Sequence, residues 1–73
     1  MTKNLAQATI ARRVCLAIRE AGSDAHSVAE AADITDLEMV DRLNGRADFT
    51  LEELVRVGGF LRIPAPDLIK EAA

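Results

Sequence analysis

The chain has no tryptophan and no tyrosine, and its only aromatic side chains are Phe49 and Phe60. Without aromatic platforms, stacking of unpaired bases is excluded as a main mode of nucleic-acid binding. A single cysteine, Cys15, excludes an internal disulfide and suits a reducing compartment. The single histidine, His26, has no second His or Cys near it, so no metal site is expected. No apolar run approaches a membrane-spanning length and no signal-peptide pattern opens the chain, so the sequence predicts a soluble, cytoplasmic protein with no membrane partner. Basic residues are also in short supply: nine Lys and Arg stand against twelve Asp and Glu, a net charge of −3. Dedicated DNA-binding domains are more often basic, because phosphate contacts supply much of their affinity.

What is present is aliphatic. Hydrophobic residues make up 49% of 73 residues, enough for one domain over residues 1–73 with one small core of Leu, Ile, Val and Ala. Ile10, Val14, Ala17, Ile18 and Ala21 recur at helical spacing and predict a first helix from about Leu5 to Ala21, with Asn4 and Gln7 as its capping box and Gly22 as its stop. Cys15 falls inside this apolar pattern and reads as a small core residue, while Leu16 lies off the stripe. Asp24 caps a second helix over about Ala25–Ala32, with Val28, Ala29 and Ala32 inward, and Asp33 supplies the turn. Thr35 and Glu38 form a capping box for a third helix from Asp36 to about Asn44, with Met39 and Leu43 inward and Gly45 at its end. Thr50 and Glu53 form another for a fourth helix from Leu51 to about Leu61, with Phe49 and Leu54 as its hydrophobic staple. Gly58 and Gly59 inside that helix are read as room for a neighbouring helix. After Pro64 and Pro66 a last short helix covers about Asp67 to Glu71. The fold class is all-α: a compact bundle of about five helices.

The most informative stretch is Ser23–Gly45, two short helices joined by a tight turn. Many small proteins put a helix into the DNA major groove with this layout. From about Ala17 to Leu68 the chain resembles the lambda-repressor-like, Cro/CI-type (XRE) helix-turn-helix family of bacterial and phage regulators. The resemblance rests on Gly22, Asp24, Val28-Ala29, Ile34-Thr35, Met39, Leu43-Asn44-Gly45-Arg46, Thr50-Leu51-Glu52-Glu53-Leu54, Gly58, Leu61 and Ile63. The helix-turn-helix core spans about residues 24–45. Two positions depart from the pattern: Ala25 stands where a phosphate-binding Gln is frequent, and Asp33 where the turn glycine is usual.

The resemblance implies a sequence-specific transcriptional regulator of duplex DNA, a phage or prophage repressor or a Cro-like protein, acting as a homodimer on paired half-sites. By register, Asp36, Leu37, Val40 and Asp41 face base edges. An Asp accepts from the cytosine amino group, and Leu or Val touches a thymine methyl. Asn44 and Arg46 hold the DNA backbone, with Arg42 nearby and Arg12, Arg13 and Lys3 adding positive charge. The same residues have an ordinary structural use: Asp36 and Glu38 suit a helix N-terminus, and Glu38 pairs with Arg42 one turn on. His26 is expected as an exposed surface residue. Leu16 and Leu68-Ile69 are the apolar candidates for contact between copies. An alternative keeps the scaffold and turns its acidic face toward a basic protein partner, as an anti-repressor or host-factor inhibitor. Cys15 has no paired His, the carboxylates lack a glycine-bearing calcium loop, and no phosphate-cradling loop exists. No catalytic residue, cofactor, metal or small-molecule substrate is expected, and the protein is not read as an enzyme.

Overall fold

Caps set where this chain turns into helix. The computed structural model describes the backbone of residues 2–69 and the side chains of residues 7–68. Five helices follow in order, α1 (Thr2–Glu20), α2 (Ala25–Ala32), α3 (Asp36–Leu43), α4 (Leu51–Leu61) and α5 (Ala65–Ile69), with no strand among the described residues. At the start of α2 the Asp24 carboxylate accepts the Ser27 N–H at 2.8 Å. Two matching capping boxes open α3 and α4. Thr35 Oγ1 accepts the Glu38 N–H at 3.0 Å while the Glu38 carboxylate accepts the Thr35 N–H at 2.8 Å. Thr50 and Glu53 repeat the exchange at 3.1 and 3.0 Å. Each box satisfies two helix-end donors that would otherwise lack a partner.

Three helices close in one way. The N–H groups of Ser23, Ile34 and Ile63 reach back to the carbonyls of Ile18, Ala29 and Gly58. This is the long bond of a Schellman closure, and it needs a left-handed residue just before. Gly22, Asp33 and Arg62 fill that seat with φ of 68°, 64° and 64°. Glycine adopts the conformation freely and Asp tolerates it, but Arg enters it at a cost.

The buried residues form one cluster. α1 gives Ile10, Ala11, Val14, Ala17 and Ile18, α2 gives Val28, Ala29 and Ala32, and α3 gives Met39. Phe49 precedes α4, which adds Leu54, Val57 and Leu61, and Leu68 comes from α5. α2 packs on α3 and α4, and α5 bridges α4 to α1. No helix among the described residues is long and apolar enough to cross a membrane.

Several expectations change. α1 starts at Thr2, so Asn4 lies within the helix and Gln7 does not cap it. The Gln7 carboxamide oxygen instead accepts the Phe49 N–H at 3.0 Å, across 42 residues. Cys15 is exposed, because it sits about a quarter turn from the buried stripe centred on Val14. Ala21 is exposed in the turn after α1. α5 begins at Ala65 and takes Pro66 into its first turn, where a missing N–H costs nothing; Glu71 lies outside the described residues. Leu68 is buried, which removes it as a contact between copies, and the Ile69 side chain lies outside the described residues. Leu16 is exposed. At Gly58 a Cβ would overlap the Ile63 carbonyl oxygen and lie 3.4 Å from the Ala65 nitrogen, so the glycine makes room for the turn into α5 and for the first residue of that helix. At Gly59 a Cβ would meet nothing, although a glycine inside a helix costs about 1 kcal/mol relative to alanine.

Candidate nucleic-acid interface

The residues 33–35 turn α2 into α3 and leave one face of α3 outside. Met39 is fully buried and Leu43 packs against the core, so the helix is fixed in rotation. Leu37 and Val40 then point out, 69% and 42% exposed. Asp36 is exposed beside them, and Asp41 is half-buried on the same arc. The four residues expected to face base edges therefore share one accessible face, two apolar and two acidic.

Asp36 is already engaged. His26, in the first turn of α2, donates from Nδ1 to its carboxylate, 2.9 Å from one oxygen and 3.0 Å from the other. Glu30, one turn along α2, lies 3.6 Å from His26 Nε2. The Asp36 hydrogen bond and the charges of Asp36 and Glu30 raise the pKa of His26. His26 is exposed, as expected, yet it ties the start of α2 to the start of α3.

Arg42 is also committed, and to the interior of the bundle. Its Nε donates to Glu53 Oε1 at 2.8 Å and its Nη2 to Oε2 at 3.1 Å, a two-pronged pair. Its Nη1 donates to the Glu38 carbonyl at 3.1 Å. Only 15% of the Arg42 side chain and 11% of the Glu53 side chain is exposed. The Glu53 hydrogen bond raises the pKa of Arg42. Arg42 thus faces α4 and is not presented with the outer face of α3; the pairing expected with the Glu38 carboxylate gives way to one with Glu53. The Glu38 carboxylate serves the cap, and the bond from the Thr35 N–H lowers its pKa.

A thin basic and polar rim remains at the far end of α3. Arg46 is exposed, with Nη1 3.5 Å from Asp41 Oδ1. Its own N–H donates to the Asp41 carbonyl at 2.8 Å, which holds the turn after α3. Asn44 is exposed in that turn, and Arg12 of α1 lines a shallow groove with Asn44, Gly45 and Cys15. Arg12 and Asn44 therefore line one groove, and Arg46, two residues after Asn44, turns its guanidinium toward Asp41. Arg13 lines a different groove, between α1 and α5, with Glu20 and Asp67. The Lys3 side chain lies outside the described residues.

The roles that the sequence did not reveal are those of His26, which bonds Asp36 with Glu30 beside it, and of Glu53, which lies beneath Arg42. Asp36 and Arg42 lie ten and eleven residues from His26 and Glu53 across turns, where no helical spacing marks the pairs, while Glu30 stands one helical turn from His26. Among the described residues no group of three or more His, Cys, Asp and Glu is placed to hold a metal ion. Comparison with protein-family models, with curated proteins and with solved structures gives no match for this chain.

Proposed function

We propose that the chain is a helix-turn-helix regulator of transcription, a repressor or Cro-like protein of phage or prophage type, that binds duplex DNA through α3. The observation that carries this is the outer face of α3. Leu37 and Val40 stay exposed on a helix whose rotation is fixed by buried Met39, between two carboxylates, with Asn44 and Arg46 in the turn that follows and Arg12 in a groove with Asn44. In a major groove, Leu37 and Val40 would meet thymine methyls, Asp36 and Asp41 would accept from cytosine amino groups, and the rim would meet phosphate. The protein acts by binding, not catalysis, in the cytoplasm where the DNA is, and two copies read paired half-sites.

A fluorescent duplex from the chain's own promoter region, titrated at rising salt, tests this. With two to four phosphates neutralised, the logarithm of the affinity falls with the logarithm of salt with a slope of about −2 to −4. No binding at about 50 mM salt overturns the proposal. Asp36→Ala with Asp41→Ala changes the preferred sequence if these residues read bases. A uniform gain on all duplexes shows that they act only as repulsive charge.

One observation favours a second reading. The commitment of Arg42 to Glu53 leaves Asp24 at the cap of α2, Glu30 on α2, and Asp36 and Glu38 on α3 as exposed acids, with the His26 ring set between Asp36 and Glu30. On this reading the face meets a basic protein, and the same titration shows no salt-dependent DNA binding.

A further inference from the structure

We propose that His26 is a proton-operated latch beside the outer face of α3: with its ring charged it bridges Asp36 to Glu30 and the face admits duplex DNA, and loss of the proton weakens that binding. The inference rests on the DNA reading of α3 and adds its regulation. Its ground is that both ring nitrogens face carboxylates. Nδ1 lies 2.9 and 3.0 Å from the two Asp36 oxygens, and Nε2 lies 3.6 Å from Glu30 Oε2. An ionised carboxylate only accepts, and a neutral imidazole has one N–H and one lone pair. The neutral ring can donate to Asp36 only by turning a bare lone pair toward Glu30. The charged ring offers an N–H to each side.

The charged groups that face the ring are all acidic: Asp36 from α3, Glu30 from α2 and Asp24 from the cap of α2. The cations of the neighbouring helices are turned elsewhere, Arg42 to Glu53 and Arg56 to Glu52 and the Ala32 carbonyl. These three carboxylates and the ring together carry −2 when the ring is charged and −3 when it is not. Histidine is the side chain whose ordinary titration falls near neutral pH, so His26 sets which of the two charges DNA meets. The His26 and Asp36 side chains are 63% and 64% exposed, so the change is presented at the surface and not spent in the core. A duplex carries about one negative charge per 1.7 Å of its axis, and the more acidic face is repelled by it. Asp36 keeps its proposed use, because a carboxylate has about four lone-pair sites and His26 leaves some of them open to a base.

The test titrates the full chain into a fluorescent duplex from its own promoter region at about 50 mM salt, between about pH 5.5 and pH 8. The affinity is expected to fall about three- to tenfold as pH rises, and the salt slope to become shallower by about 1. His26→Gln keeps an N–H donor without titrating, and its affinity is flat in pH at about the weaker level. His26→Lys carries a fixed charge and holds the acid-side affinity at both ends of the range to within about threefold. By linkage, the His26 ring followed by NMR titrates at a higher pH with the duplex than without it. Position 26 is exposed, and circular dichroism confirms that each variant stays helical; should one not, the other variant and the ring titration carry the test. A wild-type affinity that is flat or rises with pH overturns the latch and leaves the DNA reading standing. So does a His26→Gln variant that keeps the wild-type fall, or a ring midpoint that the duplex leaves unmoved. No binding at either end of the range overturns the DNA reading and the latch together.

Discussion

The two capping boxes, Thr35–Glu38 and Thr50–Glu53, share a sequence pattern and nearly the same hydrogen-bond lengths, yet their glutamates live in different surroundings. Glu38 is exposed and does one thing, closing the first turn of α3. Glu53 is 8% exposed and does two: it closes the first turn of α4 and receives both prongs of Arg42 from α3. Its carboxylate takes three N–H groups, which is what allows a charge to sit in the bundle at all. A local cap becomes a tie between helices when the chain folds another cation onto it. The spacing that makes the cap does not reveal the tie.

The largest expected effect separates the two glutamates. Glu53→Ala leaves Arg42 charged and largely buried without its partner, and destabilises the fold by about 3–4 kcal/mol in urea denaturation. Glu38→Ala removes only half of an exposed cap and costs about 1 kcal/mol. Equal losses would break the comparison. Next, a double-mutant cycle on Arg42 and Glu53 should give a coupling of about 1–3 kcal/mol. The pair Arg56–Glu52, 2.9 Å long against 2.8 Å for Arg42–Glu53 but with side chains 43% and 74% exposed, should give about 0.3–0.5 kcal/mol. Distance alone would predict the same value for both. Thr35→Ala and Thr50→Ala should each cost about 1 kcal/mol, since the hydroxyl does the same work in both boxes.

The smallest effect concerns the other tie across α2 and α3. His26 titrates above its ordinary 6.5 because the Asp36 hydrogen bond favours the charged ring. A raised folded-state value means a stabilising contribution fully present below about pH 6.5 and lost as pH rises through the raised value. A proton NMR titration of the His26 ring should show the elevated midpoint, and Asp36→Asn should bring it back toward 6.5. An unchanged midpoint in that variant would assign the shift to Glu30 and Asp24 instead.

The helix pattern was legible wherever a side chain caps the backbone within four residues. Asp24, Thr35 and Thr50 fixed the starts of α2, α3 and α4, and Gly22 marked the turn after α1. The start of α1 was not, because Asn4–Gln7 imitates a cap while the Gln7 side chain is used 42 residues away. Cys15 was misplaced because alanine-rich stretches blur the edge of an apolar stripe, and the true buried set includes Ala11 instead. At the candidate site, the outward face of Leu37 and Val40 followed from the inward positions of Met39 and Leu43. The fate of Arg42 did not follow, since only the packing of α3 beside the start of α4 brings Glu53 within reach.

The bond from the Phe49 N–H to Gln7 has a practical consequence. Phe49 precedes the cap of α4, so no helical bond shields its amide from solvent. Its hydrogen-bond acceptor is the carboxamide brought by α1, which adds to the burial of Phe49 in slowing exchange with deuterium. That one amide is therefore a gauge of whether the first helix is seated: it exchanges each time α1 lifts away, while the amides inside α4 wait for the bundle to open.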